Sequence, residues 1–263
     1  MKINFSKYHG TGNDFILIDN RKNLFPAENN KLIQQLCYRQ FGIGADGLIL
    51  LEDDEKQDFN MKYFNSNGFE GSMCGNGGRC VVHFARELGI ISGYTFFNTT
   101  DGLHTAEIEN NIVRLSLNDV KKITINKEYF FLNTGSPHAV FFKNEINNID
   151  VFSEGKKIRN SKEFAPEGTN VNFVKIIDKN NISIRTYERG VENETLSCGT
   201  GAVASAISTY LYQKIKTDNY SVQLQTKGGN LKVNFKIDKS IFTKIILEGA
   251  VVKVFDGTTT IKR

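Results

Sequence analysis

Two cysteines head nearly the same short run. Cys74-Gly75-Asn76-Gly77-Gly78-Arg79-Cys80 and Cys198-Gly199-Thr200-Gly201-Ala202 each pass from a thiol through two glycines into an apolar helical segment. A thiol at a helix N-terminus meets unpaired N–H groups and the positive end of the helix dipole, and both favour an anion. Its pKa, about 8.5 in a free cysteine, is lowered in such a place. Two thiols of this kind suit one reaction type. Inverting a carbon stereocentre requires a base on one face and an acid on the other, and two like groups serve in either direction. The same helix ends offer N–H groups to a substrate carboxylate and to the charge that grows in the transition state. The plainer alternative is a pair of buried structural cysteines beside ordinary turns.

The remaining cysteines point to packing. Cys37 falls in an amphipathic pattern with Leu32, Ile33 and Leu36, and Cys80 also reads as core. No Cys-x-x-Cys pair occurs, which argues against a zinc ribbon or a thioredoxin-type motif. The four histidines are too scattered for a metal site. No pyridoxal phosphate site is evident, so neither metal nor cofactor is expected.

The chain of 263 residues is long enough for one large domain or two of ordinary size. Its charged fraction of 24% and hydrophobic fraction of 40% are those of a globular protein. The net charge of +4 is spread out, with no basic run to suggest nucleic acid. No apolar run approaches the roughly 18 residues of a membrane span. The start, Met1 to Lys7, lacks the apolar stretch of a signal peptide. These features imply a cytoplasmic protein with reduced cysteines.

The elements that must hold the two thiols come as a repeat. Tyr63 and Tyr187 each stand 11 residues before their cysteine, and the two cysteines are 124 positions apart, at 74 and 198. Gly12 to Ile16 matches the run from Gly135 at an offset of 123, and Phe41 and Gly47 fall on Phe164 and Asn170 at the same offset. Thr99-Thr100-Asp101-Gly102 matches Thr226-Lys227-Gly228-Gly229. Four islands in one order imply a duplicated half of about 120 residues. Their setting is mostly strands, among them 15–18, 48–51, 61–64 and 112–117, answered by 139–142, 171–174, 182–187, 231–235 and 251–255. Helices are expected over Pro26–Gln40, with the proline near the start, and over Asp150–Arg159. The helix after Cys198 is apolar nearly all round, the mark of a buried helix. Each half would wrap its strands around its own central helix, with the two helix N-termini facing each other across a cleft.

Several runs resemble the signatures of diaminopimelate epimerase. They are His9 to Phe15, Gly42 to Gly47, Asn65-Ser66-Asn67-Gly68 followed by Cys74 to Arg79, and Gly135-Ser136-Pro137-His138. Gly168-Thr169-Asn170, Tyr187-Glu188-Arg189-Gly190, Cys198 to Ala202 and Asp256-Gly257 continue in family order. The likeness covers essentially the whole chain. It departs at Asn67 and Phe69, where the family usually has Asp and Ser, and at Ser136, where it often has Asn. The resemblance implies a fold of α+β type: two pseudo-symmetric halves, each a mainly antiparallel barrel around a central helix, with the active site in the cleft between them. By it, residues 1–118 with 252–263 form one half and 119–251 the other. It also implies a pyridoxal-independent epimerase that interconverts LL- and meso-diaminopimelate on the route to lysine and peptidoglycan, acting as a homodimer. Cys74 and Cys198 are then the acid/base thiols, and His138 and Glu188 the polar pair beside them. Asn13, Asn65, Asn170, Glu188 and Arg189 match substrate-binding positions. Gly75-Asn76 and Gly199-Thr200 match the N–H donors. Ser136, shorter than Asn, would leave a gap for a bridging water, and Arg189 would carry more of the recognition of the substrate's far end. The alternatives are a two-cysteine racemase like proline racemase, a non-catalytic amino-acid-binding protein of the same fold, and a thiol redox protein.

Overall fold

In the computed structural model, which describes residues 1–261, the chain divides into two compact units. One is Met1–Leu115 with the described residues from Ala250 on; the other is Ser116–Gly249. Lys262 and Arg263, the end of the expected first half, lie outside the described residues.

The first unit is built from β1 (Lys2–Gly10), β2 (Asn13–Asp19), β3 (Gly47–Glu52), β4 (Phe59–Asn65), β5 (Tyr94–Thr99), β6 (Gly102–Glu109), β7 (Ile112–Leu117) and the later part of β16 (Ile241–Thr260). These strands pair in that order, and β1 pairs with both β2 and β16, so the sheet closes into a barrel. β2–β3 and β4–β5 run parallel. The crossovers these parallel pairs demand carry α1 (Asn30–Cys37) and α2 (Gly75–Glu87). α2 is buried from Gly75 to Ala85 and packs on β1, β2, β3, β4 and β6. Its glycines permit that closeness: a Cβ on Gly77 would stand 2.9 Å from Ile49 Cδ1 on β3.

The second unit repeats the plan. It contains β8 (Ile123–Ile125), β9 (Phe130–Asn133), β10 (Pro137–Phe142), β11 (Asn170–Asp178), β12 (Asn181–Glu188), β13 (Asn193–Thr195), β14 (Asn219–Thr226), β15 (Gly229–Asp238) and the start of β16. Val120, ahead of β8, bridges to Phe242 on β16. α3 (Val151–Arg159) lies on the outside, and α4 (Gly199–Tyr212) is buried from Gly199 to Thr209. Val140, Val174, Ile184, Leu224 and Val233 surround α4, which explains its uniformly apolar composition.

The ladders show how closely the halves correspond. Phe15 pairs with Gly47 and Ile49 with Tyr63; His138 pairs with Asn170 and Asn172 with Thr186, in each case 123 positions later. The counterpart of Tyr63 is therefore Thr186, and that of Tyr187 is Phe64. Matching the two tyrosines is one residue out of register, and one residue along a strand turns a side chain to the other face. Packing agrees: Phe64 lies with Leu32 and Ile33 of α1, and Tyr187 with Val151 of α3. The Thr99–Gly102 and Thr226–Gly229 islands are both tight hairpin turns, with Gly102 at φ 120 and Gly229 at φ 136.

α1 is shorter than the expected Pro26–Gln40. Asn29 caps it, with its Oδ1 accepting from Leu32 N at 3.0 Å, so Pro26 falls in the turn before. At the far end Tyr38 is extended, and Ile43 N and Gly44 N donate to Leu36 O instead of a further helical turn. In α3 the expected first residue, Asp150, is likewise the cap, accepting from Ser153 N at 3.1 Å.

Candidate active site

In the first unit Cys74 is the N-cap of α2, extended at φ −103 and ψ 118, and half-buried. Its Sγ lies 3.8 Å from Asn13 Oδ1. Asn13 is held in one orientation. Its Nδ2 donates to the Asp46 carboxylate at 2.7 Å, which can only accept, so Oδ1 faces Cys74 and receives Asn76 Nδ2 at 3.1 Å. Asp46 belongs to a charged tier with Asp14, Arg39 and Lys7. Lys7 also donates to the Gly44 carbonyl. Burial alone would raise the Asp14 carboxyl, but the bonds from Arg39 and Lys7 outweigh it and hold it at about 2.

Behind Asn76 lies Arg79, fully buried. Its Nη2 donates to Asn76 Oδ1 at 3.0 Å and Thr11 Oγ1 at 3.2 Å, while Nε and Nη1 have no hydrogen-bond partner among the described residues. Burial lowers its pKa to about 10, so it remains a cation at neutral pH. Cys80, beside it, is pushed far above the ordinary thiol range by burial, and Cys37 is pushed up to about 12. Neither is suited to proton transfer, as their place in the sequence suggested. Gly75 and Asn76 open α2 and are buried. Asn65 ends β4, accepting from Tyr63 Oη at 3.1 Å.

In the second unit Cys198 is the N-cap of α4, buried, at φ −125 and ψ 115. Its Sγ accepts from Gly201 N at 3.4 Å and lies 3.5 Å from Thr200 Oγ1. Gly199 and Thr200 are the first residues of α4, and Thr134 Oγ1 pins the Thr200 carbonyl at 2.9 Å. His138 is fully buried, with Nε2 at 2.9 Å from Thr200 Oγ1 and 3.0 Å from Ser136 Oγ. Burial, helped by the Arg189 charge, lowers its pKa to about 3, so the ring is neutral at pH 7. Asn170 joins the set through Ser136 Oγ at 3.2 Å and accepts the Arg189 N–H at 2.8 Å. The Arg189 guanidinium forms no hydrogen bond or ion pair with any described residue. Glu188 ends β12 and accepts from Thr195 Oγ1 at 2.9 Å.

Within each unit the expected site residues thus come together, Asn13, Cys74 and Asn76 in one and His138, Asn170, Thr200 and Cys198 in the other. Ser136 Oγ lies within hydrogen-bond distance of His138, Thr200 and Asn170. Sequence reasoning missed Asp46, Arg79, Asn172 and Thr186. Asn172 was signalled only by an amide in the apolar run Val171-Asn172-Phe173. Among the described residues no three His, Cys, Asp or Glu side chains are grouped to hold a metal ion, and no helix is long and apolar enough to cross a membrane.

A buried helix headed by a thiol, within a mainly antiparallel barrel and repeated once, defines a class. The chain shares its fold with a PhzF-family phenazine biosynthesis protein of Bacillus anthracis, at TM-score 0.78 and 16% identity, covering 99% of this chain and 100% of that one. A hydroxyproline epimerase from Agrobacterium vitis has the same fold, at TM-score 0.73 and 14% identity over 98% of this chain and 91% of that one. The diaminopimelate epimerase family model matches residues 5–121 and 130–254, so the chain belongs to the diaminopimelate epimerase family. The diaminopimelate epimerase of Flavobacterium psychrophilum is 53% identical over 253 residues, covering 96% of this chain and 98% of that protein. That of Chlorobaculum tepidum is 43% identical over 260 residues, covering 96% and 99%.

Proposed function

We propose that this chain epimerises diaminopimelate at one α-carbon without a cofactor, using Cys74 and Cys198 as a base and acid pair. The observation that carries the reading is the repeated placement of a thiol as the N-cap of a buried helix, once in each unit of a diaminopimelate epimerase family member. One sulfur, as the thiolate, takes the α-proton and becomes a thiol. The other, as the thiol, gives its proton to the opposite face and becomes a thiolate. Atoms and charge balance, and solvent exchange restores the starting pair. The N–H groups at Gly75-Asn76 and Gly199-Thr200 bind the α-carboxylate and the charge that grows on it. Glu188, with Asn13, Asn65 and Asn170, receives the amino groups. The uncommitted guanidinium of Arg189 takes the far carboxylate in a bidentate pair. His138, neutral at pH 7, acts through the hydroxyl of Thr200. The enzyme works in the cytoplasm, as a homodimer, supplying meso-diaminopimelate for lysine and peptidoglycan.

The experiment is deuterium uptake at Cα of LL-diaminopimelate in D2O, run beside proline. Uptake with diaminopimelate and none with proline is the expected result; the reverse identifies a proline racemase-like enzyme, and none with either a binding protein. Cys74→Ala and Cys198→Ala should each abolish epimerisation while the fold survives. Retention of most activity by either variant refutes the two-thiol mechanism.

A further inference from the structure

We infer that Ser136 and Thr200 are positioning residues whose hydroxyls form a hydrogen-bond chain polarised toward Cys198, holding that sulfur as the thiolate in the substrate-free enzyme. The inference rests on the two-thiol reading and adds which sulfur starts without its proton.

The chain begins at two amides whose orientation is fixed. Asn170 Nδ2 lies 2.9 Å from the Pro137 carbonyl oxygen, and its Oδ1 accepts from Arg189 N. The nitrogen is therefore the atom that donates to Ser136 Oγ at 3.2 Å. Asn172 Nδ2 lies 3.4 Å from the Ala139 carbonyl oxygen, and its Oδ1 accepts from Thr186 Oγ1 at 3.0 Å. Its nitrogen donates to His138 Nδ1 at 3.0 Å. An N–H aimed at Nδ1 requires that nitrogen to be unprotonated, so the ring proton sits on Nε2. Nε2–H then donates to Thr200 Oγ1 at 2.9 Å and to Ser136 Oγ at 3.0 Å.

Each hydroxyl has one proton to pass on. Ser136 gives its proton to Thr200 Oγ1 at 3.2 Å, and Thr200 gives its own to Cys198 Sγ at 3.5 Å. Gly201 N–H adds a second donor to the same sulfur at 3.4 Å. Every link points one way and ends on a sulfur that accepts. A hydrogen bond to an ionised acceptor is stronger than one to a neutral one, so the arrangement favours the thiolate.

The first unit is built with the opposite polarity. Beside Cys74 the Asn13 oxygen, fixed in place by Asp46, is an acceptor for S–H. Phe15 stands where the second unit has His138, and Asn76 where it has Thr200. The duplicated halves have diverged at the positions that face the sulfur. The ionisable groups around the chain in the second unit are His138 itself, Arg189, whose charge disfavours its protonation, and Glu188, bonded to Thr195. α4 carries no acid in its first turn and no base in its last.

The test is a pH titration of thiolate ultraviolet absorbance in the intact, substrate-free enzyme. Subtracting the signal of the matching Cys198→Ala protein isolates Cys198, and subtracting that of Cys74→Ala isolates Cys74. Thr200→Val should raise the Cys198 midpoint by roughly one to two pH units, the worth of one hydrogen bond to a charged group. Thr200→Ser should leave it in place, and Ser136→Ala should raise it by less. Cys74 should not move in any of them. An unchanged Cys198 midpoint in Thr200→Val, or equal shifts of both thiols, overturns the inference. If Thr200→Val does not fold, Ser136→Ala decides alone: a Cys198-specific shift supports the chain and its absence refutes it. Deuterium uptake by the wild type tests the epimerase reading separately, so the two can fail independently.

Discussion

A single methyl group at Gly201 should do far more damage than the same methyl at Gly77, although the two positions correspond in the repeat. A Cβ on Gly201 would stand 2.5 Å from Asn172 Oδ1 and 3.3 Å from Cys198 Sγ. Asn172 is fully buried and tied to His138 and Thr186, so it has nowhere to withdraw. Overpacking of this kind costs about 1–3 kcal/mol. A buried hydrogen bond broken in relief costs a further ~1–3 kcal/mol. Alanine returns about 1 kcal/mol in helix propensity, leaving a net loss of about 3 kcal/mol. A Cβ on Gly77 meets Ile49 Cδ1 at 2.9 Å and Met61 Cε at 3.4 Å, the ends of flexible side chains, and reaches Cys74 Cβ only at an ordinary 3.5 Å. There the propensity gain and the crowding should cancel to within about 1 kcal/mol. Urea unfolding measures both, with an unchanged m-value as the condition for reading the midpoints as stability. Epimerase kcat/KM should fall with Gly201→Ala, because displacing Asn172 releases the His138 tautomer. Equal losses at the two sites, or a wild-type midpoint for Gly201→Ala, would refute the packing argument.

His138 sets a pH dependence of stability. Its folded pKa, about 3, lies below the ordinary value of 6.5, so only the unfolded chain binds this proton between those values. Stability should therefore fall as pH drops below 6.5, by up to about 1.4 kcal/mol per unit from this group, and His138→Gln should flatten the slope of unfolding free energy against pH. Asp14 acts in the acid range: held at about 2, it contributes stability present above pH 4 and lost as pH falls through about 2. Arg39→Gln should lower stability at neutral pH and lose less of it between pH 4 and 2, as acid titration of the unfolding midpoint would show. For LL-diaminopimelate, Arg189→Gln should raise KM at least tenfold, while Ser136→Ala lowers kcat with little change in KM. Equal KM effects would place recognition of the far carboxylate on the wrong residue.

Much of the architecture was legible because its signals are local. The glycine turns, the cysteine-led helices and the Thr-x-x-Gly hairpins depend on residues a few positions apart, and they come in the same order twice. The short strands β8 and β13, of three residues each, carry too few positions to show alternation. The start of α1 was misplaced because a proline that suits a helical first turn also suits the turn before an Asn cap. Tyr63 and Tyr187 matched as letters, but ladder register, set by pairing with distant strands, assigns them to different places.

By itself the sequence determined that two thiols sit at helix N-termini and that the chain is a duplication, since caps and turns follow from short-range sterics and hydrogen bonding. The polarity around each sulfur was decided only by tertiary structure. Asp46 is 33 positions from the Asn13 it orients, and Thr200 lies 62 from His138, which is itself 34 from Asn172. An Asn or Thr read along the chain can donate or accept. Which it does is settled when folding buries it against a partner able to do only one of the two.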